Sequence, residues 1–273
     1  MFYLSNVYVI GDIHGSFKPI RNFYNKNKDK IDFDREKTVL ILLGDAGLNY
    51  FKNERDAQLK RELSRFPFTY FVIRGNHEER PSNMMKENPD KWNMETFFHG
   101  KVYVEKEYPY IKYAKDTAGL YHILKNDKET IRVLTLPGAY SVDKEYRQLM
   151  GYAWFPDEQM SPYEQEYAKT LVGFAEHCDV VLSHTCPCCY EPTDLFLSFV
   201  DQSKVDKSME WLLGGIEFVL DYKLWMWGHY HKYRDYPRTD GRKKLMLFHE
   251  VVNLEQVLNE DVPEVLCTNE PWD

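Results

Sequence analysis

Two histidines stand one residue apart near the end of the chain, in the sequence LWMWGHYHKY over residues 224–233. Residues i and i+2 of an extended strand point to the same side, so His229 and His231 would present two imidazoles in one direction. Imidazoles serve as metal ligands and as acid–base groups. Two histidines also fall close together by chance in surface loops, so the rest of the chain has to decide between these interpretations.

Other apolar runs in the chain are followed by polar side chains of similar chemistry. These side chains are two carboxylates, three imidazoles and one amide, namely Asp12, His14, Asp45, Asn76, His77 and His184. The apolar runs lack a clear period-2 alternation, which is typical of strands buried on both faces of an α/β protein. Because the carboxyl ends of such strands converge on one crevice, we expect these side chains and the final histidine pair to lie together.

This set of side chains is suited to binding hard or borderline divalent metals. Asp12 and His14 repeat the i, i+2 spacing of the final pair, and Asp45 carries a carboxylate that could bridge two cations. Carboxylates, imidazoles and an amide oxygen, with no thiolate, favour Mn²⁺, Fe or Zn²⁺ over soft copper. The number of imidazoles argues against Ca²⁺.

Five short motifs occur in a fixed order over residues 11–231: Asp-x-His, Gly-Asp, Gly-Asn-His-Glu, a lone His after a strand, and Gly-His-x-His. In this order they resemble the calcineurin-like metallophosphoesterase superfamily. The resemblance implies an α/β fold, a double β-sandwich flanked by helices in four layers (α/β/β/α). It also implies hydrolysis of a phosphomonoester or phosphodiester by a hydroxide that bridges two divalent metal ions, with Mn²⁺ expected first and Fe or Zn²⁺ as alternatives.

The resemblance assigns a role to each motif residue. Seven side chains would be metal ligands: Asp12, His14 and His231 on one ion, Asn76, His184 and His229 on the other, and Asp45 between them. His77 would be the catalytic residue rather than a ligand, since the matching histidine stabilises the transition state or protonates the leaving oxygen. Asn76 would position it, and Glu78 is expected to accept a hydrogen bond from a ligand imidazole.

Two subfamilies of this superfamily resemble the chain in part. Serine/threonine protein phosphatases share the sequence RGNHE (Arg74 to Glu78) but follow the second motif with Asp-Arg-Gly, where this chain has GDAGLNY. That arginine contacts phosphate in those enzymes, so a phosphoprotein phosphatase is an alternative function, and Arg74 is expected to be a structural or rim residue. A nuclease of the same superfamily is a further alternative.

The segment LPGAYSVDKEYR resembles a Gly-x-Tyr…Tyr-Arg segment of RNA lariat debranching enzymes, which typically have Cys where this chain has Asp12. The similarity therefore does not imply an RNA substrate. Arg147 in this segment is a candidate contact for substrate phosphate, because a guanidinium fork matches phosphate oxygens. The alternative for Arg147 is a surface arginine without a role. For the whole chain, the alternative is a non-catalytic scaffold, although a scaffold has no need for His77 beside a full ligand set.

Composition limits the partners and the compartment. A net charge of −8 argues against a broad surface for nucleic acid or acidic membrane, so the expected partner is a phosphate ester other than a long nucleic acid. Five cysteines, three of them in TCPCCY, indicate a reducing compartment, and the cytoplasm is the expected location. No apolar run approaches the roughly 18 residues that span a bilayer.

The chain is expected to form one phosphoesterase domain over residues 1–249, with a lid-like insertion at about 79–100, and a final strand region with an acidic tail over 250–273. Helices are predicted after Ser16, after the capping box of Ser161 and Glu164 with a face of residues 163, 167, 171 and 175, and over 203–222. Residues 101–136 indicate an antiparallel meander. The remaining candidates are expected to be surface or core residues: His99, His122, His177, His249, Trp225 and Trp227.

Overall fold

Apolar runs of the sequence form the strands of two β-sheets in the computed structural model, which describes residues 2–238, 240–260 and 264–267. The strands in this part of the chain are β1 Val7–Ile10, β2 Val39–Leu42, β3 Thr69–Val72, β4 Trp92–Phe97, β5 Gly100–Glu105, β6 Ile111–Tyr113, β7 Gly119–Leu124, β8 Thr130–Leu136, β9 His177–Ser183, β10 Asp221–Trp227, β11 Arg234–Tyr236, β12 Lys243–Met246, β13 Val251–Asn253 and β14 Val265–Cys267. The α-helices are α1 Lys18–Asn27, α2 Glu54–Leu63, α3 Pro81–Glu87, α4 Lys144–Met150, α5 Pro162–Ala175, α6 Ser208–Val219 and α7 Leu254–Asn259.

The first sheet has the strand order β14-β13-β1-β2-β3-β6-β5-β4, and the second has the order β11-β12-β10-β9-β8-β7. Strands β1, β2 and β3 are parallel neighbours in the first sheet, and β8, β9, β10 and β12 are parallel neighbours in the second. Parallel neighbours end at the same sheet edge, so the loops that follow them emerge together.

Alternate residues of the strands face different layers, which shows how the layers are stacked. In β1, Val7 and Val9 enter the core between the two sheets, whereas Tyr8 and Ile10 face the helices outside the first sheet. The core beyond the second sheet contains Trp225 and Trp227 of β10, both fully buried against α5 and α6. The predicted four-layer α/β/β/α arrangement is confirmed, and the two tryptophans pack a strand between layers as expected.

Two of the predicted helices begin where their signals indicated. Helix α1 starts at Lys18 and buries Ile20 and Phe23. Helix α5 carries the predicted capping box: the Ser161 side chain accepts from the backbone N–H of Glu164, and the Glu164 side chain accepts from that of Ser161. This reciprocal pairing satisfies backbone donors that the first turn leaves free.

The face predicted for α5 is correct only in part. Ala175 is buried and Leu171 packs against the core, whereas Tyr163 and Tyr167 are exposed, and the helix buries Ala168 and Val172 instead. Both stripes have helical spacing, and the stripe of small residues lets α5 lie closer to the second sheet. Helix α6 also begins later than expected, at residue 208, because residues 202–204 form a short 3₁₀-helix.

Residues 79–100, the expected lid-like insertion of long loop or short helices, form the short helix α3 and the edge strand β4. Strand β4 pairs along its length with β5, and Trp92, Phe97 and Phe98 are buried. The two ends of the strand, Trp92 and Phe97, are buried, and the residues between them are half-buried or exposed. The segment joins the first sheet through β4, and its role as a lid stays a prediction.

The expected antiparallel meander over 101–136 is divided between the sheets. Strand β5 pairs with β6 in the first sheet, whereas β7 pairs with β8 in the second. The sequence KDTAG between β6 and β7 carries the chain from one sheet to the other.

The chain after residue 249 joins the first sheet, since β13 pairs antiparallel with β1 and then with β14. The final residues of the predicted acidic tail, 268–273, lie outside the described part, and the division of the chain at residue 249 stays a prediction. Among the described residues, no helix is both long enough and apolar enough to cross a membrane. The five cysteines are free thiols.

Replacement of the capping serine tests the energetic role of this helix start. Ser161→Ala is expected to lower the free energy of unfolding by about 1 kcal/mol, because one backbone N–H of α5 loses its acceptor. Urea denaturation of both proteins measures the difference. Thr170→Ala on the exposed side of the same helix is the control and should not destabilise the protein. Equal stability of the Ser161→Ala variant and the parent protein would contradict this role.

Candidate metal centre

The eight side chains that the sequence singled out lie together at the carboxyl ends of β1, β2, β3, β9 and β10. The closest contacts join residues more than a hundred positions apart in the chain. His14 and His231 meet through their Nε2 atoms at 2.8 Å, and His184 Nε2 lies 2.8 Å from Asn76 Oδ1. The expected convergence of strand ends from both sheets is therefore observed.

Asp12 lies at the centre of one half of the site. The Nε2 atoms of His231 and His14 are 3.3 and 3.8 Å from Asp12 Oδ2. Asp12 Oδ1 accepts a hydrogen bond from the backbone N–H of His229 at 2.9 Å, whereas Oδ2 has no well-formed hydrogen bond within the described residues. The carboxylate is fully buried, so this oxygen needs a cation or a donor.

Asp45 lies at the centre of the site as a whole. Three imidazole Nε2 atoms surround its Oδ2: His184 at 3.7 Å, His77 at 3.9 Å and His14 at 4.0 Å. Asp45 Oδ1 accepts from the backbone N–H of His77 at 2.9 Å. This carboxylate faces groups of both predicted ligand sets, as a bridging ligand would.

The histidine pair of the final motif does not have the strand geometry assumed from its spacing. His229 and His231 have φ values of 69° and 51°, so the backbone turns instead of continuing β10. The His229 ring lies 5.0 Å from that of His184, between centroids, while His231 contacts His14. The two imidazoles serve opposite halves of the site, which the assumption of one shared direction missed.

Left-handed backbone is concentrated in this site. Besides His229 and His231, the non-glycine residues His14 and Asp45 have φ values of 45° and 44°. Such conformations cost roughly 1–3 kcal/mol each and persist only where the surrounding structure enforces them. They orient side chains of the loops toward the crevice.

Glycines next to the ligand positions make room for side chains from neighbouring strands. A Cβ atom on Gly228 would lie 2.1 Å from Asp12 Oδ1, and one on Gly75 would lie 2.0 Å from Asp45 Oδ1. A Cβ atom on Gly44 would lie 2.1 Å from His184 Nδ1. Because these distances are far below van der Waals contact, only glycine leaves each ligand side chain in place.

The protonation states suit metal coordination, which requires neutral imidazoles and ionised carboxylates. Burial and the nearby His184 lower the pKa of His229 to about 3, so this ring is neutral. Burial opposes ionisation of Asp45, but the imidazoles of His77 and His184 hold its pKa below the usual range. His231 is the exception: burial acts against its charged form, but the hydrogen bond and attraction to the Asp12 carboxylate raise its pKa, so a metal ion would have to displace a proton from this ring.

The nitrogen and oxygen atoms of the site are placed so that they could bind divalent metal ions. Two groups of side chains place one ligand atom each within 4.8 Å of one another: Asp12, His14 and His231 in one, and Asp12, Asp45 and His184 in the other. His14 and His231 share at most one proton between their facing Nε2 atoms, so a lone pair is available there. The Leu43 carbonyl accepts a hydrogen bond from His184 Nδ1–H at 2.7 Å. The neutral ring then has no proton on Nε2, which is free to bind a metal.

His77 lies beside the predicted ligands with a different set of contacts. Arg147 Nη2 is 3.1 Å from His77 Nε2, and Arg147 Nη1 donates to the Tyr50 hydroxyl at 3.1 Å. A guanidinium only donates, so His77 Nε2 accepts and the ring proton is on Nδ1. Burial lowers the pKa of His77, although Asp45 acts in the opposite direction.

Asn76 is held by a chain of hydrogen bonds that the sequence did not reveal. Its amide Nδ2 donates to Ser141 Oγ at 2.9 Å, which fixes Oδ1 toward His184. Ser141 Oγ donates in turn to the Glu158 carboxylate at 2.5 Å, and Glu158 also accepts from the Ser141 backbone N–H. Ser141 lies in the segment LPGAYSVDKEYR but was not singled out there, and Glu158 lies in no recognisable motif.

Two further expectations from the RGNHE sequence have different outcomes. Glu78 accepts from the backbone N–H groups of Gly47 and Leu48, at 2.8 and 3.4 Å, and supports the Asp45 loop instead of a ligand imidazole, so that prediction was wrong. Arg74 is buried and donates to the carbonyls of Gly75 and Glu158, in agreement with a structural role.

The four histidines expected to have structural roles differ in their distance from the site. His177 pairs with Asp221, and the rings of His99 and His122 lie near each other. His249 stacks on Phe248, which stacks on His231. His249 is therefore nearer to the site than the sequence indicated.

Comparison with known proteins gives one family. The family model described as calcineurin-like phosphoesterase matches residues 5–233. No curated protein matches the sequence. Among solved structures the chain is similar to TT1561 of Thermus thermophilus, with 11% identity, a TM-score of 0.53, and coverage of 96% of this chain and 98% of that one. It is also similar to a dimetal phosphatase from Danio rerio, with 10% identity, a TM-score of 0.49, and coverage of 90% and 91%. At 11% identity the likeness to TT1561 supports the fold alone.

Gly228→Ala tests the close approach that holds Asp12. We expect the added methyl group to displace the Asp12 carboxylate and to weaken Mn²⁺ binding by about 10-fold or more, since mutations that disturb ligand orientation commonly have this effect. Titration calorimetry with Mn²⁺ measures the change. Gly173→Ala is the control, because its Cβ atom would meet open space, and it should bind the ion like the parent protein. Equal affinity in both variants would contradict the proposed packing around Asp12.

Proposed function

Because the chain belongs to the calcineurin-like phosphoesterase family, we propose that it hydrolyses a phosphomonoester or a phosphodiester with the help of two divalent metal ions. The observation that carries this proposal is the position of Asp45, whose buried Oδ2 lies within 4.0 Å of three imidazole nitrogens from three different loops. Family membership supports a hydrolase of phosphate esters at a general level. The residue roles and the metal are the finer part of the proposal.

The proposed ligands are those that the motifs predicted. Asp12, His14 and His231 would hold one ion, Asn76, His184 and His229 the other, and Asp45 would lie between the two. When bound, two such ions would make a water molecule acidic enough to act as a nucleophile at neutral pH and would neutralise the phosphoryl oxygens. We propose Mn²⁺ first, with Fe or Zn²⁺ as alternatives that the same nitrogen and oxygen donors accept.

His77 would act on the ester rather than on a metal. Its backbone N–H is fixed by Asp45 and its ring by Arg147, so the imidazole is held at the edge of the cluster. A ring in this position can hydrogen-bond a phosphoryl oxygen or give a proton to the leaving oxygen. Asn76 precedes His77 in the chain and would help to position it, because the Asn76 amide is itself held by a hydrogen bond to Ser141.

Arg147 is proposed to contact a phosphoryl oxygen. Its guanidinium contacts the His77 ring and the Tyr50 hydroxyl, and its Nε pairs with Asp143 at 2.7 Å. With Arg55 it lines a cavity of about 220 Å³ that Asp45 and His77 also line. Such an arrangement suits an anionic group next to the metal ligands.

A phosphoprotein phosphatase, a nuclease and a non-catalytic scaffold stay as alternatives, and nothing in the site favours one of them. The residue after Asp45 is a buried alanine, where serine/threonine phosphatases have an arginine. The net charge of −8 disfavours a long nucleic acid. We therefore propose a small phosphate ester as the substrate. From the five cysteines we propose the cytoplasm as the location.

His77→Ala tests the catalytic assignment. With added Mn²⁺ we expect turnover of an aryl phosphomonoester or diester to fall by about 100-fold or more, because an acid–base or charge-stabilising group is lost. Metal content should stay at the level of the parent protein, since His77 is not a ligand. Steady-state kinetics and metal analysis measure the two quantities. His122→Ala, in β7, is the matched control and should leave both unchanged.

Asp45→Asn provides the contrasting case, because the bridging charge is removed and both the rate and the metal content should fall. A parent protein that hydrolyses no ester with Mn²⁺ would favour the scaffold. An Asp45→Asn variant with full metal content would contradict the ligand assignment.

A further inference from the structure

A second, larger cavity borders the proposed metal ligands, and Arg147 is not among the residues that line it. Its volume is about 300 Å³, and Asp45 and His77 line it as they line the smaller cavity. The wall opposite these residues is apolar and is built by the segment 195–205, which contributes Leu195, Phe196, Leu197, Val200 and Val205. This volume lies at the lower end of the range for small-molecule sites in proteins.

The two cavities differ in charge. The smaller one is lined by Arg55 and Arg147, whereas no lysine or arginine is among the described residues that line the larger one. A phosphoryl group is anionic, so its charge is complementary to the arginines of the smaller cavity and to cations bound by the metal ligands. The rest of the ester is then left to the larger cavity.

Carboxylates lie along the larger cavity, and two of them have cationic partners outside it. Asp143 pairs with Arg147 at 2.7 Å, and Glu191 pairs with Lys207 at 3.0 Å. Glu210 forms no salt bridge within the part of the chain that the structure describes. An anionic leaving group would therefore be repelled by the Glu210 carboxylate, which is itself buried from water.

Glu210 also has an unsatisfied oxygen. The side chain is 4% exposed, and its Oε1 accepts from Thr185 Oγ1 at 2.7 Å. Its Oε2 has no hydrogen-bond partner in the described residues, although a buried acceptor normally has one. Glu210 lines the cavity and Oε2 itself is buried, so a ligand that carries a donor could supply the missing hydrogen bond if the carboxylate turns toward the cavity.

We propose that the larger cavity binds the leaving group of the ester, and that this group is apolar, uncharged or cationic, and carries a hydrogen-bond donor that Glu210 accepts. This inference rests on the proposed function, since it names the substrate class for the same site. It makes Glu210 a specificity-determining residue.

Binding of three small aryl methyl ethers tests the subsite without any hydrolysis. The probes are 4-methoxybenzyl alcohol, 4-methylanisole and 4-methoxybenzenesulfonate, which have a donor, a methyl group and a negative charge at the same position and no other hydrogen-bond donor. We expect the full chain, with and without Mn²⁺, to bind the first about 10-fold more tightly than the second, and the sulfonate most weakly. Burial raises the pKa of Glu210 to about 7, so calorimetric titrations at pH 8 keep the carboxylate ionised.

Two replacements of Glu210 separate hydrogen bonding from charge. Glu210→Gln keeps an acceptor of the same shape, so the preference for the hydroxymethyl group should persist while the sulfonate binds better. Glu210→Leu should abolish the preference between the hydroxymethyl and methyl compounds. Glu217→Gln is the control in the same helix, since its carboxylate pairs with Arg242 outside the cavity, and it should bind all three probes as the parent protein does.

Equal affinity of the parent protein for the hydroxymethyl and methyl compounds would overturn the inference, even if Glu210→Leu fails to fold. Rates for the corresponding aryl phosphates with Mn²⁺ separate this outcome from failure of the proposed function. If the affinities follow the expected order but none of the phosphates is hydrolysed, the proposed function is rejected and the subsite is kept. Hydrolysis of all three phosphates at similar kcat/KM would reject the subsite and keep the proposed function.

Discussion

Two buried carboxylates, Asp12 and Asp45, lie together at the ends of strands from two sheets, and the rest of the site is arranged around them. Removing two negative charges from water is costly, and neutral imidazoles offset this cost only in part. Asp12 has an oxygen without a good partner, and Asp45 is within 4.0 Å of three imidazoles. Divalent cations would remove this electrostatic conflict, which is why the constellation suits metal chemistry better than a purely structural role.

The fold makes such a crowded cluster possible. Parallel strands deliver their loops to one edge, and three glycines let carboxylate and imidazole groups approach the backbone of the next loop. Left-handed backbone at His14, Asp45, His229 and His231 adds strain that the packed layers beneath must hold. Nearly all strand residues next to the site are fully buried, so the loops are anchored on rigid elements.

The site is also asymmetric about Asp45 and His77. On one side Arg55 and Arg147 offer positive charge, and on the other an apolar wall meets the unpaired Glu210. Under the proposed function, this asymmetry would favour esters with one kind of leaving group. Neither Arg55 nor Glu210 belongs to the five motifs, so substrate selection and metal binding would change independently.

Much of the architecture was predictable because local signals and tertiary structure agree. The buried strands, helix α1 and the capping box of Ser161 and Glu164 follow from short-range patterns, and the eight polar residues at strand ends follow from the geometry of parallel sheets. Edge strand β4 was missed because its two buried residues, Trp92 and Phe97, do not share the period-2 spacing of a strand with one covered face. The face of α5 was predicted only in part because two stripes have helical spacing, and only packing against the second sheet selects between them. The hydrogen bonds from Asn76 through Ser141 to Glu158, and the wall over 195–205, depend on contacts across the chain that have no local signature.

The most direct measurement of the central claim is anomalous X-ray diffraction from crystals of the protein grown with Mn²⁺. Two anomalous peaks about 3.5–4 Å apart, with the Asp45 carboxylate between them, are the predicted result. Crystals that show no peak at Asp12 and Asp45, or a single ion that leaves Asn76, His184 and His229 without contact, would contradict it.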